Sequence, residues 1–122
     1  MLSWFKKVNK LQVPNAYDTL VSVNAKIDNQ EFLFQSGLHV DGEIKLNIRS
    51  TMPNSVVRVS NKGKVDGAIT ADFVLVNGVV IGDITATQTV QIAKDGKVIG
   101  NVYCKNFEGD RTKVSGGKII ER

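Results

Sequence analysis

Gly63-Lys64-Val65-Asp66-Gly67, Gly78-Val79-Val80-Ile81-Gly82 and Gly96-Lys97-Val98-Ile99-Gly100 share the form Gly-x-Val-x-Gly. Each is followed two residues later by a β-branched apolar residue, Ile69, Ile84 or Val102. A looser copy runs Gly37-Leu38-His39-Val40-Asp41-Gly42-Glu43-Ile44. The three strict copies begin at 63, 78 and 96, spacings of 15 and 18 residues. That is too short for helical-pair repeats or propeller blades, and it suits one turn of a β-solenoid.

Working outward, the segments between the glycines alternate as strands do: Val57-Arg58-Val59, Phe73-Val74-Leu75-Val76, Val90-Gln91-Ile92. Val, Ile and Thr dominate and favour a pleated backbone. The repeat corners fall at Gly42, Gly63, Gly67, Gly78, Gly82, Gly96 and Gly100, several preceded by turn formers, as in Asn77-Gly78 and Asp95-Gly96. No sustained 3.6-residue apolar period follows residue 20 or so. The expected fold is therefore all-β, a single-domain parallel β-helix. Over residues 22–115 there is room for about six coils of about 16 residues, a rod on the order of 28 Å long at strand spacing. The repeat breaks at Asn47–Asn54, where Pro53 removes a ladder donor; either a loop leaves the rod there or an extra corner is inserted. A small antiparallel sandwich is the competing fold, disfavoured because the whole Gly-x-Val-x-Gly-x-Ile unit recurs.

The chain has 122 residues, 42% of them hydrophobic and 23% charged, as expected for one folded domain. Its net charge of +4 is concentrated at a tip, in Lys6, Lys7 and Lys10, rather than along a groove, so no nucleic-acid partner is expected. Cys104 is the only cysteine, which rules out an intrachain disulfide and fits a reducing cytoplasm. No apolar run approaches the roughly 18 residues of a membrane span, and lysines interrupt the N-terminal apolar residues too soon for a secretory signal.

Over about residues 20–115 the Val-Asp-Gly-(Glu/Ala)-Ile and Val-Ile-Gly-(Asp/Asn)-(Ile/Val) units resemble the bactofilins, bacterial polymer-forming proteins. The resemblance implies a right-handed, three-sided β-helix that assembles without nucleotide into non-polar filaments. It further implies binding to the inner membrane and partnership with cell-wall or envelope proteins that set cell shape. The division that follows is a membrane-targeting peptide at 1–13, a linker at 14–21, the β-helix at 22–115 and a flexible C-terminal tail at 116–122.

Independently of that resemblance, a solenoid end exposes unpaired strand edges and the cross-section of the apolar column, which must be covered or used. Residues 107–122 contain three glycines and no helical stripe, so no capping helix is expected there. End-to-end self-association follows. Candidate interface residues are Phe107 in the last coil and Phe32, Leu33, Phe34 and Leu38 near the first; each could instead fill the core. If like ends meet, two different two-fold interfaces alternate along an open filament without polarity.

Before Pro14, a helix stop, Met1, Trp4, Phe5, Val8 and Leu11 fall on one face of a helical wheel, with Lys6, Lys7 and Lys10 opposite. With Leu2, these residues have the layout of an interfacial anchor for anionic lipid, which predicts a cytoplasmic protein held peripherally at the inner membrane. A tail, or a flap against the β-helix, is the alternative.

The rival function is a hexapeptide-like β-helix acyltransferase. It needs a base, His39 is the only histidine, and little chain is spare for an acceptor pocket. Asp41, Glu43, Asp66, Asp83 and Asp95 flank corner glycines, where carboxylates commonly satisfy turn amides. No Cys-x-x-Cys, phosphate-cradling loop or His-rich cluster is present, so neither metal, nucleotide nor other cofactor is expected, and the chain reads as a non-enzyme. Thr85, Thr87 and Thr89 lie in one turn only, too few for a flat ice-binding ladder.

Overall fold

The computed structural model describes residues 19–20, 26–28 and 31–122. From residue 31 the chain winds as a parallel β-solenoid with three columns of strands. The first coil comprises β3 (Glu31–Phe34), β4 (Gly37–Val40) and β5 (Glu43–Ile44), and the second β6 (Asn47–Ser50), β7 (Val56–Val59) and β8 (Lys64–Asp66). In the third and fourth coils single long strands, β9 (Ile69–Val76) and β11 (Ile84–Ile92), bend across a corner to serve two faces, followed by β10 (Val79–Ile81) and β12 (Lys97–Ile99). The fifth contains β13 (Val102–Cys104), β14 (Asn106–Gly109), a 3-10 turn (Arg111–Lys113) and β15 (Val114–Ser115). β16 (Ile119–Glu121) then lies parallel to β13 and opens a sixth.

The repeat read from the glycines is the register of the sheet. Val65, Val80 and Val98, the central valines of the three strict copies, stack in one column that begins at Ile44 and ends at Val114. Leu38, Val57, Val74, Val90 and Phe107 form a second column, and Phe32, Ile48, Ile69, Ile84, Val102 and Ile119 a third. Nearly all of these point inward and are buried, each removal from water contributing about 1.5–3 kcal/mol. Backbone groups are satisfied from coil to coil, as where Ile48, Ile69, Ile84 and Val102 N–H each donate to a carbonyl of the next coil at 2.7–3.0 Å.

The corners explain why the spacing varies. After β9 the connection to the next column is two residues, Asn77–Gly78, and after β11 it is four, Ala93–Gly96, while β11 also carries one extra residue as a bulge between Ala86 and Thr89; together these lengthen the period from 15 to 18 without disturbing the columns. At the next corner Gly67, Gly82, Gly100 and Gly117 lie above one another; a Cβ on any of them would collide with a backbone carbonyl of the coil before. Polar side chains run up the same corner as a ladder. Asn47 Oδ1 accepts from Ala68 N–H (2.9 Å), Asp83 Oδ1 from Asn101 N–H (2.9 Å) and Asn101 Oδ1 from Lys118 N–H (3.0 Å).

Three expectations are corrected. The rod has five full coils and one strand of a sixth rather than six, because Thr19–Leu20 and Lys26–Asp28 pair antiparallel with the first coil instead of winding one, and the second coil spends extra residues on a loop. That loop is shorter than the sequence break suggests: Asn47–Ser50 is β6, in register with β3 and β9, and only 51–55 leave the rod. The loop is tied back, since Asp72 N–H donates to Ser55 Oγ (3.1 Å) and Asn54 N–H to Asp72 Oδ2 (2.5 Å), while Met52 stays 50% exposed. The expected tail at 116–122 carries β16 and extends the solenoid to Glu121, because Ile119 continues a core column.

Candidate polymer interfaces at the ends of the rod

The C-terminal end is built from β14, the 3-10 turn, β15 and β16. Phe107, Val114 and Ile119 are the last members of the three core columns, packed against the core yet only half-buried, because no further rung covers them. Among the described residues no strand pairs with the outer edge of β14, β15 or β16. Asp110 caps the turn that joins β14 to β15, its Oδ1 accepting from Thr112 N–H (2.9 Å) and Oγ1 (2.6 Å); these bonds hold its carboxyl below the usual aspartate range. Glu121, on the final strand, reaches across the end. Its carboxylate accepts from Phe107 N–H (3.0 Å) and from Arg111 Nη2 (2.5 Å), and the Arg111 guanidinium lies 5.1 Å from the Phe107 ring centroid. The Arg111 hydrogen bond, followed by that of the Phe107 amide, pulls the Glu121 carboxyl below its ordinary value.

The N-terminal end differs. β1 (Thr19–Leu20) pairs antiparallel with β4, and β2 (Lys26–Asp28) pairs antiparallel with β3, so two of the three faces of the first coil carry an extra strand on their outer edge. Only β5 has none among the described residues. These short strands cover two of the edges at this end.

Phe32, Phe34 and Leu38, candidates for the N-terminal interface, belong to the buried core cluster; Phe34 is fully enclosed. Leu33 points to the other face of β3, opposite Arg49 in β6, and is buried as well. Phe107 alone of the five candidates is half-exposed at an end. Arg111 and Glu121 went unnoticed in the sequence; only Asp110-Arg111-Thr112, an Asx-type capping signal, marked the turn that places Arg111. Met1, Leu2, Trp4, Phe5, Lys6, Lys7, Val8, Lys10 and Leu11 lie outside the described residues.

The sides of the rod offer little to a chemical reaction. His39 is half-buried on the outer face of β4 beside Arg58 of β7, in the first coil. The shallow depression lined by Thr87, Tyr103, Lys105 and Arg122 lies in the last coils, far from it in register. Cys104 borders that depression, but burial, and then the nearby Glu121 carboxylate, push its thiol up, away from a reactive thiolate. The corner carboxylates serve structure: Asp41 accepts from Ser60 Oγ, and Glu43 pairs with Lys64 at 3.7 Å. Among the described residues no three His, Cys, Asp or Glu side chains are grouped to hold a metal, and no helix is long and apolar enough to cross a membrane.

A stack of coils with an open apolar end is a subunit suited to polymerisation. The family model of the bactofilins, described as polymer-forming cytoskeletal, matches residues 19–119, nearly the whole chain. The chain belongs to the bactofilin family. The matched span starts at β1 and ends within β16, so it covers the same coils that the register defines. The chain matched no curated protein and no solved structure. As a bactofilin it is a polymer-forming cytoskeletal protein.

Proposed function

We propose that this bactofilin assembles end to end, without nucleotide, into non-polar filaments on the inner face of the cytoplasmic membrane, where it positions cell-shape and envelope machinery. The observation that carries the assembly reading is the C-terminal end, where three apolar columns stop at half-exposed Phe107, Val114 and Ile119 beside strand edges that no strand among the described residues pairs with. Burying that face against a second copy removes apolar surface from water and pairs backbone groups, the same two gains that hold the coils together. A two-fold contact between C-terminal ends, alternating with one between N-terminal ends, propagates without limit. No step in this scheme calls for a nucleotide.

The membrane reading rests on the amphipathic layout of residues 1–11. One such peptide binds lipid weakly, but a filament presents many copies and multiplies the apparent affinity. Recruitment of envelope proteins rests on the family resemblance. The alternative acyltransferase has no geometric support, since His39 and the surface depression are in different coils.

Phe107→Arg tests the assembly reading. It places a charge in the C-terminal junction at a cost of several kcal/mol, so the folded variant should stop at short oligomers in sedimentation. Long filaments from folded Phe107→Arg protein would refute the C-terminal contact. Deleting residues 1–12 tests the anchor: filaments should still form but no longer pellet with anionic liposomes, and continued pelleting would refute it.

A further inference from the structure

The assembly reading leaves open how one end recognises its like, and the charges over Phe107 bear on this. Arg111 and Glu121 are ten positions apart in sequence, one on the turn after β14 and the other on β16, and they meet across the end of the rod. Both keep contact with water, with side chains 56% and 37% exposed. As an isolated surface pair they add little to the stability of a single chain. Their position is more informative than their strength: Arg111 lies over the ring that ends a core column, and Glu121 holds the amide of that same residue. They therefore sit on the surface that a second copy would cover.

From this placement, and resting on the C-terminal contact proposed above, we infer that Arg111 and Glu121 form a self-complementary charge lock, in which Arg111 of each copy pairs with Glu121 of the other when two C-terminal ends meet. In a two-fold contact, residue i of one copy meets residue j of its partner and the reverse. A face carrying one cation beside one anion thus presents opposite charge to its own image when the axis passes between them. The flanking Phe107, Val114 and Ile119 exclude water from the contact, and the attraction strengthens as water leaves. The lock adds selectivity to an apolar contact: two like ends fit in one rotational setting, and an end with a different charge order is repelled. The occupant is a second copy of this chain rather than an unrelated acidic or basic partner, because the charges flank an unfinished core column of this same fold.

The test is the double exchange R111E/E121R, which keeps an acid–base pair within each chain but removes the acceptor of the Phe107 amide, so the fold of the exchanged chain is first checked by circular dichroism and thermal unfolding. Donor and acceptor dyes are attached at the C-termini of full-length chains, and energy transfer is measured on mixing. Exchanged chains should transfer energy among themselves as wild-type chains do. Between wild-type and exchanged chains the lock predicts Arg against Arg and Glu against Glu, so transfer should fall by about tenfold or more in apparent affinity. Equal transfer in the mixed and unmixed samples would overturn the lock by showing that the pair acts only inside one chain. Folded exchanged chains that show no transfer among themselves would overturn it as well. Wild-type filaments without C-terminal transfer would refute the C-terminal contact itself, and absence of any wild-type polymer would refute the assembly reading, so the two failures are distinguishable.

Discussion

Gly82 and Gly100 have φ of +149° and +148°, a region that side chains rarely adopt, and each lies against the carbonyl of the glycine one coil earlier. Gly82→Ala should cost about 1–3 kcal/mol from backbone strain alone, with the carbonyl clash in addition. Denaturant unfolding is best read in a Phe107→Arg background, where polymer does not inflate apparent stability. At the C-terminal end of the rod, Glu121 supplies a pH dependence. Its carboxyl is lowered in the fold, so its contribution is complete above the unfolded value and is lost as pH falls through the folded one. Carboxyl NMR shifts should therefore place Glu121 below ordinary glutamates, and Glu121→Gln should weaken hydrogen-exchange protection of the Phe107 amide. An unchanged Phe107 amide would contradict that role. The glycines were legible because a backbone requirement leaves a mark in one residue type. Arg111 and Glu121 were not, because they meet ten positions apart across less than one turn of the solenoid, a spacing the repeat does not contain.

Among the elements, β1 and β2 change what the N-terminal end can do. They occupy the outer edges of β4 and β3 through two and three residue pairs, short enough to yield to a competing strand. Removing residues 1–30 should bare those edges and raise the rate of nucleation, measured by light scattering; a slower rate would show that β1 and β2 belong to the junction itself. The sequence did not reveal these strands, since two- and three-residue pairings carry too little periodicity to see. The loop at 51–55 and strand β16 were half legible. Pro53 marked a departure from the repeat, but the β-branched and apolar side chains of Ile48 and Ile119 decided where the columns resume, and that depends on register between coils. By contrast, the Gly-x-Val-x-Gly copies specified β8, β10 and β12 directly, because both corner glycines and the inward valine are demanded at once.

At the scale of the whole molecule, the solenoid places its apolar residues in columns parallel to the rod, so the surface that remains incomplete is at an end and not on a side. Among the described residues every middle coil is paired on both sides by its neighbours, whereas β5 at one end and β14, β15 and β16 at the other keep an edge that no described strand covers. That asymmetry links the fold to polymer formation and was readable in the repeat itself. What a repeat cannot encode is which end is covered and how like ends choose each other, since both depend on the residues that depart from it. The most direct test of end-to-end assembly is electron microscopy of the purified full-length protein in nucleotide-free buffer. The account predicts unbranched filaments a few nanometres wide, without polarity in averaged images, whereas uniform closed trimers or single short rods at every concentration would contradict it.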